Sequence, residues 1–404
     1  MKKYLIPTLA SLLALAACTK VAPVAEPQRE ISFQVANYVQ TKANVKFENA
    51  DFGTYAWYTG EAAADQTAAS KAIEFMINEK VGPVTSGEKT DWRTVNNTFY
   101  WPKTGKLDFI SYSPYATAAP ALPAITENTI TYTGYAVGEL NENQVYTPND
   151  VDLMYADKAV GKQANEGTYS TISGTNGVPT LFHHALAHVS FKIQANFLEY
   201  TDNSVGASNQ ATEDQAAGNK TTWKITVKSA ELGGIYTKGN LKLDLNPDNG
   251  QSWDKPADNV WTDLAEQVPF KFSMPTATET TDGETAAAGI VLKADEATDL
   301  GTFGYVIPQK LADQAQTLTL VMDIYTEMPN GVSFTQENVK RTVELSKTSS
   351  IKSWAMNQKI VYTILVKPTY GTDPDNPGDP TDDIITFDPA VEDWEPISTA
   401  TIQI

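Results

Sequence analysis

The sequence is poor in the residues that most enzyme sites need. Its 404 residues contain one cysteine and three histidines, which excludes an internal disulfide and a zinc site built from several thiolates. The sequence has no glycine-rich phosphate loop and no G-x-S-x-G nucleophile motif. Carboxylates are plentiful, but no pair can be assigned to acid and base roles. The sequence therefore gives no catalytic residue and no cofactor, and we predict a protein that is not an enzyme.

Positive charge and long apolar runs are also scarce. Lys and Arg total 30 against 49 Asp and Glu, which gives a formal net charge of -19 at pH 7. Such an acidic chain repels phosphate backbones, so we do not expect nucleic acid as a partner. After the N-terminal segment, no run approaches the roughly 18 apolar residues that a membrane helix needs. Any attachment to a membrane would therefore depend on the N-terminus.

The N-terminal residues 1–17 have the pattern of a secretory signal peptide. Two lysines follow Met1, and a mainly apolar stretch too short to span a bilayer runs to Ala16. Small residues directly before Cys18 resemble the lipobox of bacterial lipoproteins, which implies cleavage between Ala17 and Cys18 and acylation of the Cys18 thiol. The alternative is an ordinary signal peptide that ends at a cysteine. Residues 18–30 are then a lipidated tether.

Alternation of apolar and polar residues, the period of a half-buried strand, recurs along the chain. It begins with Ile31, Phe33 and Val35, which share one face of a first strand. The later apolar sets are Val189, Phe191, Ile193 and Ala195; Trp223, Ile225 and Val227; Leu241, Leu243 and Leu245; Leu318, Leu320, Met322 and Ile324; and Ile360, Tyr362, Ile364 and Val366. Short strands between Gly, Pro and Asn turns predict a mainly β protein built from β-sandwiches.

A Gly-, Ser-, Thr- and Asn-rich stretch at residues 166–179 marks a domain boundary. We therefore predict an N-terminal β-sandwich domain at 31–178 and a C-terminal one at 179–370. The acidic stretch 372–383 has too few apolar residues to fold, and we predict that it is an extended linker. A calcium loop is the alternative, although the spacing of an EF-hand is absent.

The tail, residues 371–404, becomes apolar again after this linker. Ala400, Ile402 and Ile404 share one face of a candidate strand. An unpaired strand exposes backbone donors and acceptors and invites pairing with another chain. The tail is therefore either an edge strand of its own domain or a donor strand that adds to a neighbouring subunit.

Two segments carry more local predictions. Residues 62–80 are the best helix candidate, with Ile73, Met76 and Ile77 at helical spacing. Residues 98–102 and 107–112 flank a Pro/Gly turn, which predicts a hairpin of two aromatic strands.

The three histidines lie close together at His183, His184 and His188. On a helix, His184 and His188 would share a face and could bind a metal, but the glutamate of the H-E-x-x-H motif is missing. On one strand, the same two residues would lie about 13 Å apart, too far for one ion. We therefore favour structural packing and predict no metal site.

Several stretches together resemble the fimbrillin family, the type V pilins of Gram-negative bacteria. They span nearly the whole chain, and their order and spacing carry the resemblance. The stretches are the lipobox at Cys18, residues 31–35 followed by Thr41-Lys42-Ala43, 52–56, 100–102, 107–109, 113–114, 152–154, 181–191, Trp354, 359–362, 385–387 and 391–394. The resemblance implies two transthyretin-like β-sandwich domains in tandem, followed by an extended C-terminal tail.

The resemblance also implies a life cycle. Such pilins reach the outer membrane as lipoproteins, and a trypsin-like protease cuts the loop after the first strand. The vacated groove accepts a donor strand from another subunit, so other pilin subunits are partners and a homopolymer is expected. On this chain the matching bond is Lys42-Ala43, whereas the family more often has Arg at the first position. The alternative is that Lys42 is an ordinary solvated lysine.

Exposed aromatic residues leave a second function open. Trp57, Tyr58, Trp92, Trp101, Trp253 and Trp261 are candidates for a glycan-binding platform. That hypothesis describes a surface lipoprotein that stays monomeric. The pilin hypothesis instead places the protein at the cell outer membrane first and in a fimbrium, supporting adhesion, after processing.

Overall fold

The computed structural model describes residues 29–37, 49–59, 73–86, 89–143, 145–164, 177–195, 222–246, 260–276, 278–279, 285–286, 288–311, 316–327, 331–348, 351–366 and 385–392. Most of these residues lie in strands, which confirms the mainly β prediction. The described parts contain one four-residue helix, α1 (Leu345–Thr348). None of their helices has the length and apolarity to cross a membrane.

The strands in chain order are β1 (Phe33–Asn37), β2 (Phe52–Tyr58), β3 (Ile73–Ser86), β4 (Lys89–Thr94), β5 (Leu107–Ser113), β6 (Ala124–Ile125), β7 (Thr129–Ala136), β8 (Gly138–Leu140), β9 (Tyr146–Pro148), β10 (Met154–Ala156), β11 (Ala159–Lys162), β12 (Val178–His184), β13 (Ala187–Ala195), β14 (Thr222–Asp244), β15 (Trp261–Lys271), β16 (Thr278–Glu279), β17 (Thr285–Ala286), β18 (Ile290–Val291), β19 (Thr298–Val306), β20 (Gln309–Lys310), β21 (Thr317–Glu327), β22 (Ser333–Glu344), β23 (Ser353–Trp354), β24 (Gln358–Val366) and β25 (Ile385–Glu392).

The first sheet has eight strands in the order β10-β12-β1-β4-β3-β2-β5-β11. Because β10 also pairs with β5, the strands close into a ring, and β11 continues along β5 beyond β10. Aromatic and aliphatic side chains fill the ring, among them Phe52, Phe109, Met154 and Phe182. In this order β1 lies between β12 and β4, so β1 is an internal strand of the sheet.

A seven-stranded sheet and a four-stranded sheet make up most of the remainder. The first has the order β22-β21-β14-β7-β6, with β15 and β18 also paired to β14, and the second has the order β19-β13-β24-β25. One core contains buried residues of both, including Val189 and Tyr362 from the four-stranded sheet and Val227 and Leu320 from the other. These two sheets therefore form a β-sandwich. The strands predicted from alternation at 189–195, 223–227, 241–245, 318–324 and 360–366 are confirmed, and their inward residues are buried except for the half-buried Trp223.

The 23-residue strand β14 connects the two halves of the molecule. Residues 222–233 pair with β21 of the sandwich, and residues 238–244 pair with β7. Leu241 and Leu243 then join a middle core with Ile110 and Tyr112 of β5, which lie on the outside of the ring. One strand thus contributes to two cores.

The predicted boundary between residues 178 and 179 falls at the start of β12. This strand pairs with β1 and β10, and therefore belongs to the first sheet together with segments before the boundary. The division into two tandem domains stays a prediction.

The helix predicted at 62–80 is wrong for Ile73 and the residues after it, which form β3; residues 62–72 lie outside the described residues. Met76 is buried, whereas Ile73 and Ile77 are exposed. Apolar residues at 73, 75 and 77 also fit the period of a strand, and β-branched isoleucine favours one. Because this segment pairs with β2 and β4, it adopts the strand and not the helix.

The hairpin predicted between residues 98–102 and 107–112 is also wrong. The second segment forms β5, whose partners are β2, β10 and β11. Tyr100 of the first segment instead bridges to Glu30, which precedes Ile31 and Ser32 on the N-terminal side of β1.

Candidate functional site

The first strand, β1, lies between two strands from distant parts of the sequence. It runs parallel to β12, with Phe33 opposite Val178 and Asn37 opposite Phe182. On its other side it runs antiparallel to β4, with Phe33 opposite Trp92. Without β1, the edges of β12 and β4 would each lose their hydrogen-bonding partner.

The hydrogen bonding of β1 continues toward its N-terminal side. The amide of Ile31 donates to the carbonyl of Phe99 at 2.9 Å, and the amide of Trp101 donates to the carbonyl of Arg29 at 2.9 Å. On the opposite side, the amide of Val178 donates to the carbonyl of Ser32 at 2.8 Å. The segment 29–37 therefore fills a groove with two hydrogen-bonding walls, which are β12 on one side and 99–101 with β4 on the other.

The side chains predicted to share the inner face of the first strand point into the core of the ring. Ile31 is 1% exposed, Phe33 is 2% exposed, and the partly buried Val35 packs against the same core. The Phe33 ring meets those of Phe52 and Phe109 edge to face, with centroids 5.5 and 5.8 Å apart. Burial of one such side chain contributes about 1.5–3 kcal/mol, so removal of β1 would expose a costly apolar cleft.

The opposite face of this segment carries charge. The guanidinium of Arg93, on β4, donates through Nη1 to Glu30 at 2.5 Å and through Nη2 to Asp91 at 2.9 Å. The Asp91 side chain is 1% exposed, so the ion pair that it makes with Arg93 is held within the wall of the groove. Glu30, at 29%, is the most exposed of the three.

Gly177, directly before β12, lies against the backbone of β1. A Cβ atom at this position would lie 2.7 Å from the carbonyl carbon of Phe33 and 2.8 Å from the amide nitrogen of Gln34. Only glycine allows this approach without movement of one strand. A side chain here would therefore disturb the docking of β1.

The three histidines do not share one strand. His184 ends β12 and His188 lies in β13, because residues 185–186 break the strand between them. The expectation of a continuous strand through both residues is therefore wrong.

Two of these histidines bind carboxylates that flank β10. Nε2 of His183 lies 2.7 Å from Asp157, and Nδ1 of His184 lies 2.8 and 3.0 Å from the two oxygens of Asp152. These contacts connect β12 to the residues on either side of β10. Within the described ranges, no group of three or more His, Cys, Asp or Glu side chains is placed to hold a metal ion. Sequence reasoning did not identify the two carboxylates, because strand pairing brings them to the histidines.

Most of the aromatic residues considered for glycan binding are not on the surface. Trp57, Trp101 and Trp261 are 5–6% exposed, and Trp92 packs partly buried against the core of the ring. Tyr58 also packs against that core, and Trp253 lies outside the described residues. The buried members cannot form a platform that stacks on a sugar.

A cleft of about 520 Å³ is lined by residues between Pro114 and Leu153. Pro114, Pro120, Tyr135 and Leu153 lie in its mainly apolar wall, and Glu139 adds one carboxylate. None of these residues was considered as a site from the sequence.

Several predicted site residues lie outside the described residues. These are Ala17 and Cys18 at the signal cleavage and lipidation site, Lys42 and Ala43 at the candidate maturation site, and Ala400, Ile402 and Ile404 in the candidate donor strand. Of the predicted sites, the structure describes the first strand, where Ile31, Phe33 and Val35 share one core.

Known proteins were compared at the level of sequence families and of folds. The model of the fimbrillin-like family matches residues 41–394. No curated protein matches the sequence.

Solved structures of low identity align along most of the chain. A candidate cell adhesion protein from Bacteroides uniformis is 15% identical, with 92% of this chain and 99% of that chain covered and a TM-score of 0.42. One from Parabacteroides distasonis is 13% identical, with 93% and 100% covered and a TM-score of 0.45. The tip fimbrial protein Mfa3 from Porphyromonas gingivalis, with a C-terminal truncation, is 11% identical, with 90% and 100% covered and a TM-score of 0.34.

These TM-scores are below 0.5, so the assignment depends on the sequence family alone. Its model covers most of the chain, from residue 41 to residue 394. The protein therefore belongs to the fimbrillin-like family.

Proposed function

We propose that this protein is a structural pilin subunit that joins its neighbours by strand exchange and supports adhesion. The chain is exported as a lipoprotein acylated on Cys18 and displayed at the outer membrane. A trypsin-like protease cuts Lys42-Ala43, and the segment before the cut leaves with β1. A donor strand from another subunit, of the kind formed by Ala400, Ile402 and Ile404, then fills the groove.

The observation that carries this proposal is the position of β1 inside a closed ring. The strand is bonded on both sides and buries Ile31 and Phe33. It is also connected to the rest of the ring through residues 38–48, which contain Lys42. One cut there turns an internal strand into a separate fragment, and membership of the fimbrillin-like family supports a fimbrial role.

The energetics favour replacement of the strand over an empty groove. Each recovered main-chain hydrogen bond contributes about 0.5–1.5 kcal/mol. Each apolar side chain that refills the core contributes about 1.5–3 kcal/mol more. A joint of this kind is head to tail and does not close on itself, so it produces filaments.

Limited proteolysis of the purified full chain tests the proposal. We expect trypsin to release a fragment that ends at Lys42, to leave a chain that begins at Ala43, and to produce ladders on a gel run without boiling. The variant Lys42→Gln should lose the Ala43 terminus, whereas Lys46→Gln in the same stretch should keep it. Deletion of residues 397–404 should abolish the ladder and leave cleavage intact.

The outcomes separate the parts of the proposal. A chain that begins at Ala43 and remains monomeric would contradict strand exchange between copies of this chain. A ladder built from chains that begin at Phe47 would move the cut to Lys46 and keep the exchange. A ladder that survives deletion of residues 397–404 would exclude this tail as the donor.

A further inference from the structure

We propose that Arg93 selects the strand that refills the groove, because it requires a carboxylate at the position that Glu30 occupies before cleavage. This inference rests on the proposed strand exchange and adds a rule for the partner. The preferred donor carries Asp or Glu immediately before its first inward apolar residue, as Glu30 stands immediately before Ile31.

The argument begins with what the cut removes and what it leaves. Glu30 departs with β1, whereas Arg93 and Asp91 belong to β4 and stay in the wall of the groove. Before the cut, the Arg93 guanidinium is shared between the two carboxylates. After it, Asp91 is the remaining carboxylate partner of Arg93 among the described residues, and Nη1 loses a contact of 2.5 Å.

Arg93 has further capacity to bind an acceptor. Its Nε–H is buried and has no hydrogen-bond partner in the part of the chain that the structure describes. Its side chain is 19% exposed, so the guanidinium is largely shielded from water. Charge-assisted hydrogen bonds from arginine to a carboxylate are short and about twice as strong as neutral ones. A strand that presents a neutral residue here leaves the guanidinium less satisfied.

The tail of this chain does not meet the requirement. If Ala400, Ile402 and Ile404 take the places of Ile31, Phe33 and Val35 in the same direction, then Thr399 takes the place of Glu30. Threonine carries no charge and cannot replace the carboxylate. We therefore infer that a different subunit is a better donor for this groove than a second copy of this chain.

Another register supplies the carboxylate but loses the apolar contacts. When Glu395 takes the place of Glu30, Pro396 falls at Ile31 and Ser398 at Phe33. The buried Phe33 site, bordered by Phe52 and Phe109, would then receive a serine. Neither of these two registers satisfies both Arg93 and the core of the ring.

Displacement of the cleaved fragment by synthetic peptides tests the rule. The probe is a labelled peptide of residues 28–37, added to full chain cut after Lys42, and its competitor carries Glu30→Gln. We expect the Gln peptide to bind about tenfold more weakly, the size of effect that one charge-assisted hydrogen bond supports at a partly exposed site. On the variant Arg93→Gln, the two peptides should bind equally.

Two further variants control for folding and for general charge. Lys103→Gln removes an exposed cation outside the groove and should keep the tenfold preference. Arg93→Lys keeps the charge and loses the planar fork, so we expect a smaller preference for the Glu peptide. Because the comparison of the two peptides on the native chain needs no variant, it decides the proposal even if Arg93→Gln does not fold.

Failure of this rule is distinct from failure of strand exchange. Equal binding of both peptides to the native cut chain overturns the role of Arg93 and leaves the groove in place. Binding of neither peptide contradicts the proposed function itself. A tenfold preference that persists in Arg93→Gln would assign recognition of Glu30 to another group.

Discussion

Two buried tyrosines of the middle core, Tyr132 and Tyr112, differ in how their hydroxyl groups are satisfied. The hydroxyl of Tyr132 is buried and has no hydrogen-bond partner among the described residues. That of Tyr112 donates to Oδ1 of Asn78 at 2.6 Å and accepts from the amide of Ala116 at 3.3 Å. A comparison of the two residues therefore distinguishes the destabilisation by a buried hydroxyl group without a partner from the stabilisation by one that is hydrogen-bonded.

We predict opposite effects for the two substitutions to phenylalanine. Tyr132→Phe should raise the free energy of unfolding by up to about 1 kcal/mol, because it removes a buried polar atom that lacks a partner. Tyr112→Phe should lower it by about 1–3 kcal/mol, because it leaves Asn78 without its donor. Urea unfolding at pH 7 measures both, and a loss of stability in Tyr132→Phe would contradict the prediction.

Tyr132 also predicts how the stability of the protein responds to alkaline pH. Burial raises the pKa of Tyr132 well above its ordinary value of 10.0. Above pH 10 the unfolded chain loses this proton while the folded chain keeps it, so stability falls as pH rises. Tyr132→Phe should lose less stability than the wild type between pH 9 and pH 11, measured by the same unfolding experiment.

At the scale of single strands, Gly177 lies so close to β1 that a side chain there would meet the backbone of Phe33 and Gln34. We predict that Gly177→Ala lowers the free energy of unfolding by about 1–3 kcal/mol, because the new Cβ meets backbone atoms on β1. In the cleaved protein, the β1 fragment should leave faster. Release of the fragment on size-exclusion chromatography measures the effect.

Gly82→Ala is the matched control. Its Cβ would meet Cγ2 of Val95 at 3.1 Å, and Val95 is 55% exposed and free to move. Equal rates of fragment release in the two variants would show that Gly177 does not govern the docking of β1.

Some strands could be predicted from the sequence and others could not, for a physical reason. Strands with one buried face, such as β13 and β21, alternate strictly because their other face is turned toward water. In β3 the apolar residues do not mark the buried face, since Ile73 and Ile77 are exposed while Met76 is buried. Sequence periodicity therefore predicted a helix where the structure has a strand.

The candidate site was predictable in part. Alternation identified Ile31, Phe33 and Val35 as one face, and the structure places all three against the core of the ring. The partners of that strand could not be predicted, because β4 and β12 are distant in sequence and no local pattern encodes their pairing. For the same reason, nothing in the sequence connected Arg93 with Glu30.

At the scale of the whole molecule, β14 contributes to two of the three cores. Leu232 lies in the core of the sandwich and Leu241 in the middle core, on the same continuous strand. We predict that Leu241→Ala lowers the free energy of unfolding by about 2–5 kcal/mol. The substitution should destabilise the region of the sandwich core as well as that of the middle core. Hydrogen exchange of amides in β24, which contacts the sandwich core alone, should accelerate.

Val291→Ala, at a side chain that is 42% exposed, is the control and should change exchange little. Exchange in β24 that is unchanged by Leu241→Ala would mean that the two regions unfold independently. That result would place a domain boundary within the predicted C-terminal domain, because Leu241 and β24 both lie in residues 179–370.

The last strand of the seven-stranded sheet, β22, has consequences for the shape of any assembly. Its described partner is β21, and the register between them shifts where Asn338 adopts a φ of 54°. Exposed Glu337 and Lys340 flank this bulge. Bulges and charges are the means by which proteins prevent addition of a further strand at an open edge. A second receptive edge would make each subunit a branch point, so this protection favours an unbranched fibre over a network.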